Sequence, residues 1–371
     1  MTRPGTGDGD RDPAHRAQAR EQGDYRPSTA GAGDLVDRRG PGGGPLGPLV
    51  RDDGSREQPM VPRAEFRSYY GRQILKTPAW EDKIAYYFFA GGLSGGAALL
   101  AAGADLTGRP ALRRGGRIGG LAALAAGAYF LVADLGRPDR FHHMLRVAKP
   151  TSPMSMGTWL LTAYGPAIGL AAASELVPKQ WQGSVPGRLV RVLGRPAGLA
   201  AAALAPGVAS YGAVLLSQTA VPAWHSGHEE LPFIFTASSA ASAGGLGMIV
   251  APVSEAAPAR RLATYGAVVE LAASRRLETR LGLVSEAYET GAAGQYLRRA
   301  STLTAAGVLG SVLLGRRSRI AAAASGLALL AGGVFERLGL LHAGIQSTQD
   351  PKYVVEPQRR RIAEHGPTRA R

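Results

Sequence analysis

The stretch ADLGRPDRFHHMLRVAKPTSPMSMGTW, residues 133–159, joins two long apolar runs. Asp134 ends the first run, and Ser152 with Pro153 opens the second as a helix N-cap followed by proline at the first helical position. Between them lie basic side chains and histidines: Arg137, Arg140, His142, His143, Arg146 and Lys149. A short charged connection between two such runs predicts neighbouring membrane helices whose ends meet at one surface.

The remainder of the chain repeats this arrangement, with apolar blocks rich in Ala, Leu and Gly between short Arg-rich connectors. About 20 apolar residues at a rise of 1.5 Å cross a hydrocarbon core of about 30 Å. The blocks therefore predict an all-α polytopic membrane protein with about eight transmembrane helices arranged as helical bundles. The predicted spans are Ile84–Asp105, Ile118–Leu135, Met156–Val177, Ala197–Gln218, Leu231–Pro252, Leu262–Leu281, Ser301–Leu314 and Ile320–His342.

Two of these spans have unusual compositions. The first contains GGLSGG, residues 91–96, in which glycines four apart form the small-xxx-small pattern that lets helices approach closely in lipid. The sixth is interrupted by charged side chains and is either a membrane span or an amphipathic helix at the membrane surface. Its charged residues are Glu270, Arg275, Arg276, Glu278 and Arg280.

Composition also defines the flanking segments and the classes of partner. Residues 1–62 are rich in Gly, Pro, Arg and Asp and predict a disordered polar tail; residues 63–342 form the transmembrane domain, and residues 343–371 a polar, basic C-terminal tail. The net charge of +15 comes largely from Arg at the ends of apolar blocks, which favours a lipid bilayer and argues against nucleic acid. With no cysteine, the chain has no disulfide, thiolate zinc or cysteine-ligated iron–sulfur cluster of its own.

Because the spans alternate in direction, ionisable and aromatic side chains collect on the side where the chain enters the first span, here called side A. Quinol oxidation releases two electrons and two protons, so its site needs a proton acceptor, apolar walls for the ring and polar groups for the oxygens. The candidate proton-transfer residues are Asp134, His142, His143, His225 and Glu336. The candidate quinone-binding residues are Tyr86, Tyr87, Arg137, Trp159, Gln218 and Trp224.

Each candidate also has a structural interpretation. Asp134 and Arg137 are three residues apart and could pair at a helix end. The two adjacent histidines could be solvated loop residues, the two tryptophans could belong to the interfacial aromatic belt, and Glu336 could pair with Arg337. No histidine pair occupies facing spans in an obvious haem arrangement, so no haem is predicted. The sequence also assigns no metal to this chain.

Four segments are similar to one known family: YYFFAGGLSGG at 86–96, DLGRPDRFHHMLRVAKPTSPMSMGTWLL at 134–161, SYGAVLLSQTAVPAW at 210–224 with LPFIF at 231–235, and AGIQSTQDPKYVV at 343–355. They resemble the NrfD-type integral membrane subunits, which include the polysulfide reductase membrane subunit. The lead-in RSYYGRQILKTPAWE, residues 67–81, resembles that of actinobacterial members.

The resemblance implies a subunit of the cell membrane that exchanges electrons between a quinone pool, expected to be menaquinone, and a ferredoxin-like iron–sulfur subunit. It further implies a molybdopterin catalytic subunit, with formate dehydrogenase-like enzymes among the candidates, and a quinone in the first four-helix bundle. Two alternatives remain open: a transporter or proton-translocating subunit without quinone chemistry, and a purely structural anchor.

Overall fold

The computed structural model describes residues 73–365. The tail predicted for residues 1–62, and the segments 63–72 and 366–371, lie outside the described residues. The α-helices are α1 Asp82–Leu106, α2 Pro110–Ala133, α3 Pro153–Leu176, α4 Val185–Ser217, α5 Pro222–Ser226, α6 Leu231–Val250, α7 Ala257–Leu281, α8 Glu286–Glu289, α9 Gly291–Leu313, α10 Arg319–Gln349 and α11 Lys352–His365. Short 3-10 helices cover Pro138–Leu145, Lys179–Trp181 and Gly282–Ser285.

The helices begin where local sequence favours an N-terminus. The side chains of Ser152, Ser184 and Ser318 each accept a backbone N–H three residues on, which caps α3, α4 and α10. Within the described residues, five helices are long and apolar enough to cross a membrane: α1, α2, α4, α6 and α10. The all-α architecture predicted from the apolar blocks is confirmed, whereas the count of eight spans stays a prediction.

Two four-helix groups share a central contact. The first consists of α1–α4, and the second of α6, α7, α9 and α10; α1 packs against α4, α6 and α10. A Cβ on Gly92 of α1 would collide with the Ser239 hydroxyl of α6, and one on Gly96 would lie 2.7 Å from the Ala243 Cβ. The close approach predicted from GGLSGG is therefore confirmed for this pair, which brings the two bundles together.

Several helices are longer than their predicted spans. The helix α4 begins at Val185 and not at Ala197, α9 begins at Gly291 and not at Ser301, and two further helices show a physical reason. The sixth predicted span lies within the 25-residue helix α7, which packs along α6 and buries Ala259, Ala263 and Glu270 on one face. The eighth predicted span continues beyond His342 to Gln349, and its added turns bury Ser347 and Thr348 against the rest of the fold. Hydropathy underestimates the length of both helices. Each contains polar side chains that are buried against other helices, so these turns do not have the apolar composition of a span that faces lipid.

Candidate functional site

The first cavity lies at side A, between α1, α2, α3, α4 and the 3-10 helix that joins α2 to α3. It encloses about 360 Å³. Its walls are mostly apolar: Trp80, Tyr87 and Tyr211 supply aromatic rings, and residues such as Met144 and Met154 supply flexible aliphatic surface. An apolar cavity of this size with few polar groups is typical of a site for a flat organic ligand.

Among the described residues that line the first cavity, Asp134 is the only carboxylate. It follows the last residue of α2, where its backbone N–H donates to the Phe130 carbonyl oxygen at 3.0 Å. Burial raises the pKa of the Asp134 carboxyl above its ordinary value of 3.8; the charge of Glu81 adds to this, while the backbone of Glu81 and the charge of Lys83 oppose it. The charges that act on Asp134 thus come from the N-terminal end of α1, where Glu81 precedes the helix and Lys83 lies in its first turn, and not from Arg137, which is exposed.

The connection between α2 and α3 is divided between the cavity and the surface. Phe141, Met144 and Leu145 of its 3-10 helix line the first cavity. His142 is exposed and His143 half-buried, with their rings nearly perpendicular at 4.5 Å, and neither lines the cavity. The apolar side chains of the predicted loop therefore contact the cavity, whereas its histidines lie outside it.

Trp159 secures this connection from outside the cavity. It is 41% exposed, and its indole N–H donates to the Val147 carbonyl oxygen at 3.2 Å. The Ser155 hydroxyl donates to the same oxygen at 2.9 Å and accepts from the Lys149 backbone N–H at 2.9 Å. These bonds fix the end of the connection against the first turn of α3.

Trp224 and Tyr86, two further aromatic candidates, also lie outside the cavity lining. Trp224 is fully buried, stacks on Trp80 with ring centres 5.4 Å apart, and donates its indole N–H to the Leu340 carbonyl oxygen at 2.7 Å. It therefore supports a cavity wall from behind. Tyr86 packs on Phe130 with ring centres 5.3 Å apart.

Two polar candidates follow the end of α4. Gln218 is its exposed C-terminal cap residue. His225 is exposed, and its Nδ1 is hydrogen-bonded to the Ser217 carbonyl oxygen at 3.0 Å. Neither residue lines the first cavity.

Glu336 is separated from the other candidates. It lies in the second bundle, where it is 2% exposed, receives a hydrogen bond from Arg337, and lines a second cavity together with Glu270. From the sequence, Glu336 was expected to lie at the same site as Asp134. In the structure it faces α7 and α9 instead, and the two carboxyl groups line different cavities. Of the candidates, the structure brings Tyr87 and Asp134 together in the first cavity.

Trp80 and Tyr211 are cavity residues that sequence reasoning missed. Trp80 precedes α1 in a segment whose composition is typical of the membrane interface. Tyr211 lies inside an apolar span, where a single tyrosine does not indicate a binding site. Within residues 73–365, no group of three His, Cys, Asp or Glu side chains is arranged to hold a metal ion.

Comparison with protein families identifies the group to which the first bundle is similar. The family model described as "Polysulphide reductase, NrfD" matches residues 74–271, which include all of α1–α6 and more than half of α7. The match therefore covers every helix that forms the first cavity. No curated protein matches this chain.

Proposed function

The chain belongs to the NrfD family of polysulphide reductase membrane subunits, and on this premise we propose that the first cavity binds the quinone ring, with Asp134 as its proton acceptor. Members of this family are membrane subunits of oxidoreductase complexes and interact with quinone. The observation that supports this location is a single half-buried carboxylate on an otherwise apolar, aromatic-lined cavity at side A.

The residues present fit a quinone. Trp80, Tyr87 and Tyr211 offer ring faces and edges for a flat headgroup, and the aliphatic side chains of the cavity exclude water. A quinol of the membrane pool supplies two electrons and two protons. The Asp134 carboxylate would accept the first hydroxyl proton, pass it to the cavity rim, and then accept the second. The two electrons would pass to an iron–sulfur partner, since this chain has no cysteine to hold such a cluster.

The other polar candidates surround this cavity in supporting roles. His142 and His143, on the outer side of the same 3-10 helix, pass protons from the cavity rim to the aqueous phase, and His225 does so beside α4. Arg137 and Gln218 are exposed at side A and contribute polar contacts at the cavity entrance.

Family members typically assemble with an iron–sulfur subunit and a catalytic subunit. For this chain the proposal is a ferredoxin-like iron–sulfur subunit docked at side A and a molybdopterin catalytic subunit beyond it, of the formate dehydrogenase-like class. The proposed quinone is menaquinone and the proposed location the cytoplasmic membrane. The basic connection between α2 and α3 supports docking of an acidic partner surface beside the first cavity.

Asp134→Asn tests this function in the complex purified with its partners. Proton acceptance by a positioned side chain contributes about 10²–10⁴-fold, so quinol-linked electron transfer should fall by at least about 10²-fold. The amide keeps the size of the carboxyl, so binding of a menaquinone analogue should change little. Asp139→Asn, an exposed change in the same connection, is the matched control and should leave the rate unchanged.

The pH dependence of the same assay provides a second measurement. The acceptor must be ionised, so the rate should fall as pH drops through the pKa of Asp134, which burial raises above 3.8. This acid limb should be missing in Asp134→Asn. An unchanged rate in the variant, or no binding of quinone to the intact complex, would refute the assignment.

A further inference from the structure

The second cavity lies between α6, α7, α9 and α10 and encloses about 330 Å³. Glu278, Glu289 and Arg298 line its outer part, near the side-A ends of α7 and α9. Glu270 and Glu336 line its inner part. Glu270 lies 11 residues before the end of α7, a depth of roughly 16 Å at 1.5 Å per residue, or about half of a 30 Å hydrocarbon core.

Three charged side chains meet at the inner end. Glu270, Glu336 and Arg337 are 3%, 2% and 3% exposed. Arg337 donates to one oxygen of Glu336 and to the Phe235 carbonyl oxygen at 2.9 Å, and its guanidinium lies 3.9 Å from the centre of the Phe235 ring. Glu270 accepts from the Thr304 hydroxyl at 3.4 Å.

Among residues 73–365, the other oxygen of Glu336 has no hydrogen-bond partner although it is buried. A buried ionised carboxylate oxygen without a donor is costly, whereas a protonated carboxyl carries no charge and needs fewer donors around it. Glu336 also lines the second cavity, so the carboxyl group that carries this oxygen lies at the inner end of a cavity that leads toward side A.

The charges of the cluster do not balance if both carboxyls are ionised. Glu270 interacts electrostatically with Glu336 and Arg337, and no other charge acts on it strongly among the described residues. The neighbouring helices face the cluster with neutral groups, namely Ser238 from α6 and Thr304 from α9. Two carboxylates and one guanidinium would leave one uncompensated negative charge at mid-membrane depth, which is strongly unfavourable.

We propose that Glu270 and Glu336 form a proton-binding site that holds one exchangeable proton, reached from side A through the second cavity and separate from the first cavity. One proton makes the cluster neutral. The two bundles then have different tasks: the first handles the quinone ring, and the second stores and releases a proton within the membrane.

A proton fits this site better than a metal cation. Hard cations such as Ca²⁺ and Mg²⁺ take about six or more oxygen ligands. Here one Glu336 oxygen and one Glu270 oxygen are already hydrogen-bonded, and the Arg337 guanidinium beside them repels a second positive charge. A monovalent cation such as Na⁺ meets the same repulsion.

Infrared difference spectroscopy on the purified complex in lipid nanodiscs tests the site. At pH 7 the native protein should show the carbonyl band of a protonated buried carboxyl, which shifts in D₂O. The band should be lost in both Glu270→Gln and Glu336→Gln, because each variant leaves one carboxylate opposite Arg337 and a neutral cluster, which also preserves folding. Glu289 is exposed and lines the outer part of the same cavity, so Glu289→Gln is the matched control and should retain the band.

Two further measurements define the ligand and the route. In oriented proteoliposomes, a pH step on side A should change the band at once, whereas a pH step on the opposite side of the membrane should do so only after a protonophore is added. Adding Na⁺ at constant pH should have no effect. Persistence of the band in both variants, its absence from the native protein, its loss with Na⁺, or an equal response to both sides would overturn the proposal. Asp134→Asn should leave the band intact, so the proposed quinone site and the proposed proton site can be refuted independently.

Discussion

At the scale of single residues, Trp224 depends on the absence of a side chain at Gly344. The indole is fully buried between Trp80 and α10, and donates to the Leu340 carbonyl oxygen at 2.7 Å. A Cβ on Gly344 would collide with this indole. Since Trp80 lines the first cavity and Trp224 stacks behind it, the cavity wall depends on this close approach of α10.

Gly344→Ala should therefore lower the free energy of unfolding by about 1–3 kcal/mol, the usual range for overpacking a tight core. Thermal unfolding in detergent, followed by tryptophan fluorescence, measures the effect and reports the displaced indole. Gly169→Ala in α3 is the matched control, because a Cβ there meets no atom within 4 Å. Equal stability of the two variants would contradict the packing argument.

At the scale of elements, α6 is held at both ends by charged side chains from other helices. At its start, the buried Glu230 accepts from Arg280 at 2.6 and 2.7 Å and from Arg276 at 3.3 Å. At its end, Arg319 donates to three backbone carbonyls, including that of Met248 at 2.6 Å. These contacts connect α6 to α7 and α10, the helices with which it forms the second cavity.

The ion pairs of Glu230 predict a pH-dependent stability. Burial pushes its pKa up, but the hydrogen bonds and charges of Arg280 and Arg276 outweigh burial, and the folded-state pKa lies below the ordinary value of 4.5. A depressed acid pKa contributes stability that is present above 4.5 and is lost as pH falls through the folded value.

Glu230→Gln should accordingly destabilise the protein by about 1–3 kcal/mol at neutral pH, because it weakens a charged hydrogen-bond network. Its difference from the native protein should shrink well below pH 4.5. Thermal midpoints at both pH values test this, with the more exposed neighbour Glu229→Gln as control. A difference that does not depend on pH would be inconsistent with the ion-pair account.

At the scale of the whole molecule, the two sides of the membrane domain are built differently. Both cavities lie toward side A, while the opposite side of the first bundle is closed by ion pairs that join its four helices. Asp105 of α1, Arg113 and Arg117 of α2, Glu175 of α3 and Arg195 of α4 form this network, with the shortest pair, Arg113 to Glu175, at 2.7 Å. The network holds the helix ends together on the side away from the chemistry.

Glu175→Gln should destabilise the whole first bundle by about 3 kcal/mol, because it removes a charge that compensates the buried Arg117. The unfolding temperature should fall, and quinone affinity should fall only at temperatures where the bundle begins to open. Arg114→Gln, an exposed change on the same helix, should have little effect on either measurement. If both variants unfold alike, the network has no special role in joining the helices.

Much of the fold was predictable from local patterns. Ser152–Pro153 correctly marked the start of α3, and GGLSGG marked the face of α1 that approaches α6. The cavity was less predictable. His142 and Met144 are two residues apart, yet only Met144 lines the first cavity. No periodicity in an eight-residue 3-10 helix distinguishes the side chain that faces inward from the one that faces out.

The sequence by itself determined that this protein is an all-α membrane protein, because long apolar runs in lipid satisfy their backbone hydrogen bonds only as helices. Its motifs, and not its hydropathy, indicated the NrfD family. It also placed Asp134 at the end of a helix beside a charged connection. Only the tertiary structure decided that Asp134 lines the first cavity while Glu336 faces Glu270 in the second. The cavity that a side chain enters depends on the rotation of its helix and on the helix packed against it, and neither is encoded in hydropathy.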